Sequence, residues 1–147
     1  MYLHQELTHE IIAAAIEVHK IMGPGLLEAV YRICLSLELT DRGVKHQKEV
    51  AIPLLYKKQK IDHCFRLDFL VENEVVVELK SLETVLPLHE AQLLTYLRLS
   101  RKQVGLLINF NMPILKTGIR RLVLSETKSY QSCDSKVSDF ISAEMKP

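Results

Sequence analysis

Hydrophobic positions follow two different spacings along this chain, and the first change from one to the other falls at Gly43. Before it, apolar residues recur at helical intervals. In "THEIIAAAIEVHKIM" (8–22), Ile11, Ile12, Ala15, Ile16 and Val18 keep that spacing, with Thr8 as the expected N-cap and Glu10 in the first turn. The "GPG" at 23–25 ends this helix and redirects the chain. A second helix is expected over "LLEAVYRICLSLELTDR" (26–42), closing at Gly43, so the chain begins as a helical hairpin.

After Gly43 the spacing becomes that of strands. "KEVAIPLLY" and "IDHCFRLDFLV" flank the lysine-rich turn "KKQK", and "EVVVELK" follows a second polar turn at Glu72, Asn73 and Glu74, which predicts three strands in a meander. "LHEAQLLTYLRLS" returns to the helical period, "VGLLINF" is a continuous apolar run typical of a buried strand, and "IRRLVL" predicts a last strand. The order helix, helix, three strands, helix, strand, strand is that of an α/β sandwich around a mixed sheet. Residues 1–124 are read as one domain. Residues 125–147 form a polar tail in which Val137, Phe140 and Ile141 supply apolar surface for one short docking helix at most.

Composition narrows the function classes. At 147 residues and 48% hydrophobic content, the chain has the size and apolar fraction of a single domain with a real core. A formal net charge of +1 gives no global field for a polyanion, so any nucleic-acid site must be local. Cys34, Cys64 and Cys133 form no CxxC pair and leave an odd count, which argues against a disulfide framework, structural zinc and iron–sulfur clusters, and for a reducing compartment. "MYLHQELTHE" carries charge and histidine where a secretory leader needs apolar residues, and no run reaches membrane-spanning length, so a cytoplasmic protein without membrane association is expected.

The chemistry concentrates in "RLDFLVENEVVVELK" (66–80). With the strands paired symmetrically about Asn73, Asp68 and Glu78 face each other across the hairpin, β-carbons roughly 5 Å apart. Alternation then puts Lys80 on the face of Glu78, with Val75, Val77 and Leu79 on the other. Opposed acids in apolar surroundings drive one carboxylate neutral unless a cation is shared. A hard divalent ion, Mg²⁺ or Mn²⁺, resolves the conflict, since it accepts one or two carboxylates and keeps places for water and a phosphate oxygen. The plainer alternative has both acids solvated on an edge strand and Lys80 in an ordinary surface ion pair. An isolated ExK favours that alternative; Asp68 at the mirrored position shifts the balance toward a site.

Asp68 with Glu78-Leu79-Lys80 on a strand pair, preceded by a helix bearing Glu28 and followed by another helix, resembles the PD-(D/E)XK nuclease superfamily. "GLLEAVY" (25–31) has the spacing that names its GxxExxY family, and "THEIIAAAIEVHK", "HEAQLLTYL" and "VGLLINFN" are similar to it as well. The resemblance implies a restriction-endonuclease-like core with a divalent-metal nuclease site at one sheet edge. It makes Asp68 and Glu78 metal ligands, Lys80 the motif lysine, and Glu28 an acid that completes the first metal's shell or supports a second ion. Gln92 and Tyr96 match a QxxxY element that positions the DNA strand and scissile phosphate. Leu67 stands where the motif has proline, while every charged position is filled.

Other residues carry weaker signals. His19, near the "GPG" break, and Tyr31, on the helical face of Glu28, are accessory candidates; packing or capping is the commoner role for each. His89 and Glu90 open the third helix, where capping competes with catalysis. Lys57, Lys58 and Lys60, then Arg98, Arg101 and Lys102, then Arg120 and Arg121 are clusters that could contact phosphates if they flank the site. The expected partner is nucleic acid, DNA ahead of RNA on the resemblance alone. The small size suggests a homodimer or a place in a larger repair or defence complex. The rival expectation is a catalytically silent binding or interaction module of the same fold acting as an accessory subunit.

Overall fold

A computed structural model describes residues 3–125, with the side chains of His63 and Cys64 outside the description. The expected tail helix and the Cys133 thiol also lie outside the described residues, and Cys34 is a free thiol. The order is α1 (Gln5–Met22), α2 (Glu28–Asp41), β1 (His46–Tyr56), β2 (Gln59–Val71), β3 (Val75–Lys80), α3 (Pro87–Ser100), β4 (Val104–Asn109), a 3₁₀ turn (Leu115–Gly118) and β5 (Ile119–Val123). The 3₁₀ turn has no counterpart in the periodicity. The remaining elements match the expected order.

Helix α1 buries Ile11, Ala14, Ala15 and Val18, one stripe at helical spacing. It starts earlier than the N-cap expected at Thr8. His4 holds the cap position, and the Thr8 hydroxyl lies inside the helix, donating to the Gln5 carbonyl at 3.0 Å. The first-turn acid is Glu6, while Glu10 pairs with Arg42 at the end of α2, 3.2 Å away. The preceding residues extend the helix because Leu7 packs on the core. At the other end Gly23, φ 70°, turns the chain and donates its N–H to the His19 carbonyl at 2.8 Å.

The five strands form one sheet in the order β1-β2-β3-β4-β5, antiparallel except for the parallel pair β3–β4, whose crossover is α3. The β1–β2 turn places Lys57 and Lys58 at positive φ, and the β2–β3 turn does the same with Glu72 and Asn73. In the second hairpin Val71, Leu70 and Phe69 pair with Val75, Val76 and Val77, the register symmetric about Asn73.

Each sheet face has its own core. Val75, Val77, Leu79, Phe69, Leu106 and Ile108 pack beneath α1 and α2, and Val76, Leu70 and Leu107 pack against Leu93 and Leu97 of α3. Helix α3 lies close to β4: a β-carbon on Gly105 would come within 3.0 Å of Leu93. The result is a three-layer α/β/α arrangement around a mixed sheet. Among the described residues no helix is long and apolar enough to cross a membrane.

Candidate active site

The β2–β3 ladder stops at Phe69 opposite Val77, one pair short of the two acids. There the backbone donors turn to carboxylates. Asp68 N–H donates to Glu78 Oε1 at 3.1 Å, and Leu79 N–H donates to Asp68 Oδ2 at 2.8 Å. On the other side of Asp68, Glu49 drops out of the β1–β2 ladder with φ 50°, between the pairs Lys48–Phe69 and Val50–Leu67. Asp68 thus sits between two interruptions of the sheet. Its relative exposure is 8% and that of Glu78 is 6%.

Burying two acids together shifts their chemistry. Glu78 is pushed from its ordinary 4.5 up to about 8, by burial first and the Asp68 charge second, while Lys80 and the bond from the Asp68 amide work against the shift. Glu28 at the start of α2 is also raised, again by burial and then Asp68, with Lys80 and Arg32 opposing. Tyr96 on α3 is raised by burial, Glu78 and Asp68 in that order. Glu28 from one helical layer and Tyr96 from the other therefore both lie within the field of Asp68.

Arg32, one turn after Glu28, supplies positive charge. Its Nε donates to Asp68 Oδ1 at 3.2 Å, its Nη2 lies 3.2 Å from the same oxygen and 3.3 Å from Glu28 Oε1, and its Nη1 is 3.7 Å from Glu49 Oε1. Among the described residues no three carboxylate, imidazole or thiolate side chains converge to hold an ion. Asp68 and Glu78 nevertheless offer carboxylate oxygens, the donor type that a hard divalent cation takes, and one or two carboxylates are enough for Mg²⁺.

The remaining expected residues fall into two groups. Gln92 lies half-buried one turn before Tyr96 on α3, and the Tyr96 ring meets Phe65 edge-on at 5.5 Å. Tyr31, fully buried and stacked on Phe110 at 4.4 Å, donates to the Gly23 carbonyl at 2.5 Å and accepts from Leu26 N–H at 3.1 Å. It ties the 23–26 loop to α2 directly before Glu28. His19 Nε2 meets the Met112 carbonyl at 2.8 Å, joining α1 to the loop after β4. His89 Nδ1 accepts from Leu86 N–H at 2.8 Å as a helix cap, and Glu90 pairs with Arg120 at 3.5 Å.

The basic clusters have local partners. Lys57 lies over the Tyr56 ring at 5.5 Å, Lys60 pairs with Asp62 at 3.7 Å, and Lys102 donates to Asn73 at 3.4 Å. Arg98 Nη2 donates to Thr95, and Arg121 donates to the Leu3 carbonyl. Three site residues escape the sequence reading. Arg32 was accessible as the i+4 partner of Glu28. Glu49 gives no signal, because a left-handed residue inside a strand leaves no mark in the periodicity. Asn109, 1% exposed, closes the loop after β3 by accepting from Leu82 N–H and donating to the Leu82 carbonyl, both at 2.9 Å; its only signal is a polar residue ending an apolar run.

A three-layer α/β fold with paired acids and a lysine where two central strands part defines a class of nuclease-type domains. The chain belongs to the PD-(D/E)XK nuclease superfamily, whose family model matches residues 5–122. The comparison with curated proteins finds no match. The crystal structure of SSO0001 is similar over 97% of this chain and 69% of its own, at 16% identity and a TM-score of 0.49. At that level the likeness adds nothing to the family membership.

Proposed function

We propose that this protein is a divalent-metal-dependent nuclease that hydrolyses phosphodiester bonds in DNA, within the GxxExxY group to which Gly25, Glu28 and Tyr31 point. The observation that carries the reading is the buried Asp68–Glu78 pair at the break in the β2–β3 ladder, where burial and the neighbouring carboxylate push Glu78 toward its neutral form. Asp68 and Glu78 hold Mg²⁺ or Mn²⁺, and Glu28 completes the oxygen donor set. When bound, the ion supplies Lewis acidity toward a phosphoryl oxygen and toward water. Lys80 orients the attacking water and offsets charge that develops on the phosphate. Gln92 and Tyr96, on one face of α3, position the strand and the scissile phosphate for in-line attack. Cytoplasmic action, as a homodimer or within a repair or defence complex, suits a domain of this size.

A second reading is favoured by Arg32, which already contacts Asp68, Glu28 and Glu49. If that contact is permanent, the domain is a silent nucleic-acid-binding or interaction module. Calorimetric titration of Mg²⁺ and Mn²⁺ into metal-free wild type, Asp68→Asn and Glu78→Gln, with cleavage assays on single- and double-stranded DNA and RNA, separates the two. A nuclease binds metal and cuts DNA, and each substitution lowers cleavage by about 10³-fold. Absence of specific metal binding in the wild type would overturn the nuclease reading.

A further inference from the structure

Arg32 contacts three acids, yet its geometry is that of a loosely held charge. Nε and Nη2 converge on a single oxygen of Asp68, and Nη2 is shared with Glu28, so the guanidinium makes no parallel two-oxygen fork. Its contacts of 3.2 to 3.7 Å are longer than the roughly 2.7–2.9 Å of strong charge-assisted bonds. The Arg32 side chain is 22% exposed and that of Glu49 is 55% exposed, so this contact lies at the solvent side of the cluster. Meanwhile the acids are fixed by other bonds: Asp68 by the Leu79 amide, and Glu78 by the Asp68 amide. Neither carboxylate needs Arg32 to keep its place.

We propose that Arg32 is a displaceable internal cation: it offsets part of the negative charge of Glu28, Glu49 and Asp68 in the metal-free protein and releases Glu28 and Asp68 when a divalent ion binds. This rests on the metal-dependent reading above. Two positive charges cannot both occupy the space beside Asp68, so the ion and the guanidinium compete for the same oxygens. Arg32 sets the metal affinity by opposing it. Once released, the guanidinium remains anchored one helical turn from Glu28, and its planar donor face suits a phosphate.

Two measurements on the full chain test this. In calorimetry, Arg32→Gln and Arg32→Ala are expected to bind Mn²⁺ about tenfold or more tightly than wild type, with Arg32→Lys in between because it keeps the charge but loses the planar head. In ¹⁵N–¹H spectra of the wild type, the Arg32 Nε–H signal, hydrogen-bonded to Asp68 in chelator, is expected to shift or exchange away as Mg²⁺ saturates. The spectral test needs no variant, so it stands even where a substitution fails to fold. If the wild type binds metal through Asp68 but the signal stays unchanged and the variants bind no tighter, the displacement is wrong and the metal reading survives. If neither wild type nor variants bind metal, the metal reading fails and takes the displacement with it. Binding by Arg32→Gln with none by wild type also overturns the displacement, because the guanidinium then holds the site against the ion, as the silent-module reading requires.

Discussion

The two ends of the β2–β3 hairpin solve the same backbone problem differently. Toward the turn, Phe69, Leu70 and Val71 pair with Val77, Val76 and Val75, backbone bonds to backbone, and every one of these side chains is buried. At the other end the amides of Asp68 and Leu79 donate to carboxylates, and the ladder stops. The contrast shows how a sheet admits charge. The acids take over as acceptors for the amides of Asp68 and Leu79, and their charge reaches both layers: Asp68 raises Glu28 on α2, and Glu78 with Asp68 raises Tyr96 on α3.

The sharpest way to break this contrast is to strike each end in turn. Phe69→Ala, at the apolar end, should cost about 3–5 kcal/mol of stability, measured by denaturant unfolding. Glu78→Gln keeps the acceptor for the Asp68 amide and removes the buried charge, so in chelator above about pH 8 it should be at least as stable as wild type. A comparable loss in both variants would show the acid to be structural.

The acid end should also respond to pH. The folded-state value of Glu78 is raised from 4.5 to about 8, so the folded protein binds this proton more tightly than the unfolded chain. Its stabilising contribution is complete below 4.5 and is lost as pH rises through about 8. The melting temperature in chelator should therefore fall across that window by more in wild type than in Glu78→Gln. Metal must displace the same proton, so Mg²⁺ affinity should climb over the same range; a flat affinity profile would place the ion away from Glu78.

Smaller effects are expected further from the break. Tyr31→Phe removes the partner of the Gly23 carbonyl and the Leu26 amide and should cost about 1–3 kcal/mol in unfolding experiments. Asn73→Gly, at φ 56° in the turn, should change stability by no more than about 1 kcal/mol, because glycine relieves the left-handed backbone while adding freedom to the unfolded chain.

Much of this was legible along the chain, for identifiable reasons. Periodicity located the helices because each buries one regular face, as with Ile11, Ala15 and Val18, and continuous apolar runs located β3 and β4, which are buried on both faces. The symmetric turn around Asn73 set the hairpin register, since a slip of one residue would exchange the valines of β3 between the two cores and turn Glu78 toward α1 and α2. Extended by one pair beyond Phe69 and Val77, that register brings Asp68 opposite Glu78. The Thr8 cap failed because good capping chemistry can be overruled when preceding residues gain a place on the core.

Tertiary structure decided what local pattern could not encode. The ladder break, the left-handed Glu49 and the guanidinium among three acids depend on residues from α2, β1, β2 and β3 meeting in space. His19 and His89 acquired a loop tie and a helix cap because the carbonyl and amide they meet come from packing and helix geometry. Local pattern along the chain was enough for the helices and strands, the register of the β2–β3 hairpin and the charges available to it. Only the fold decided which of those charges are buried together, because burial and electrostatic coupling depend on distances between segments far apart in the chain.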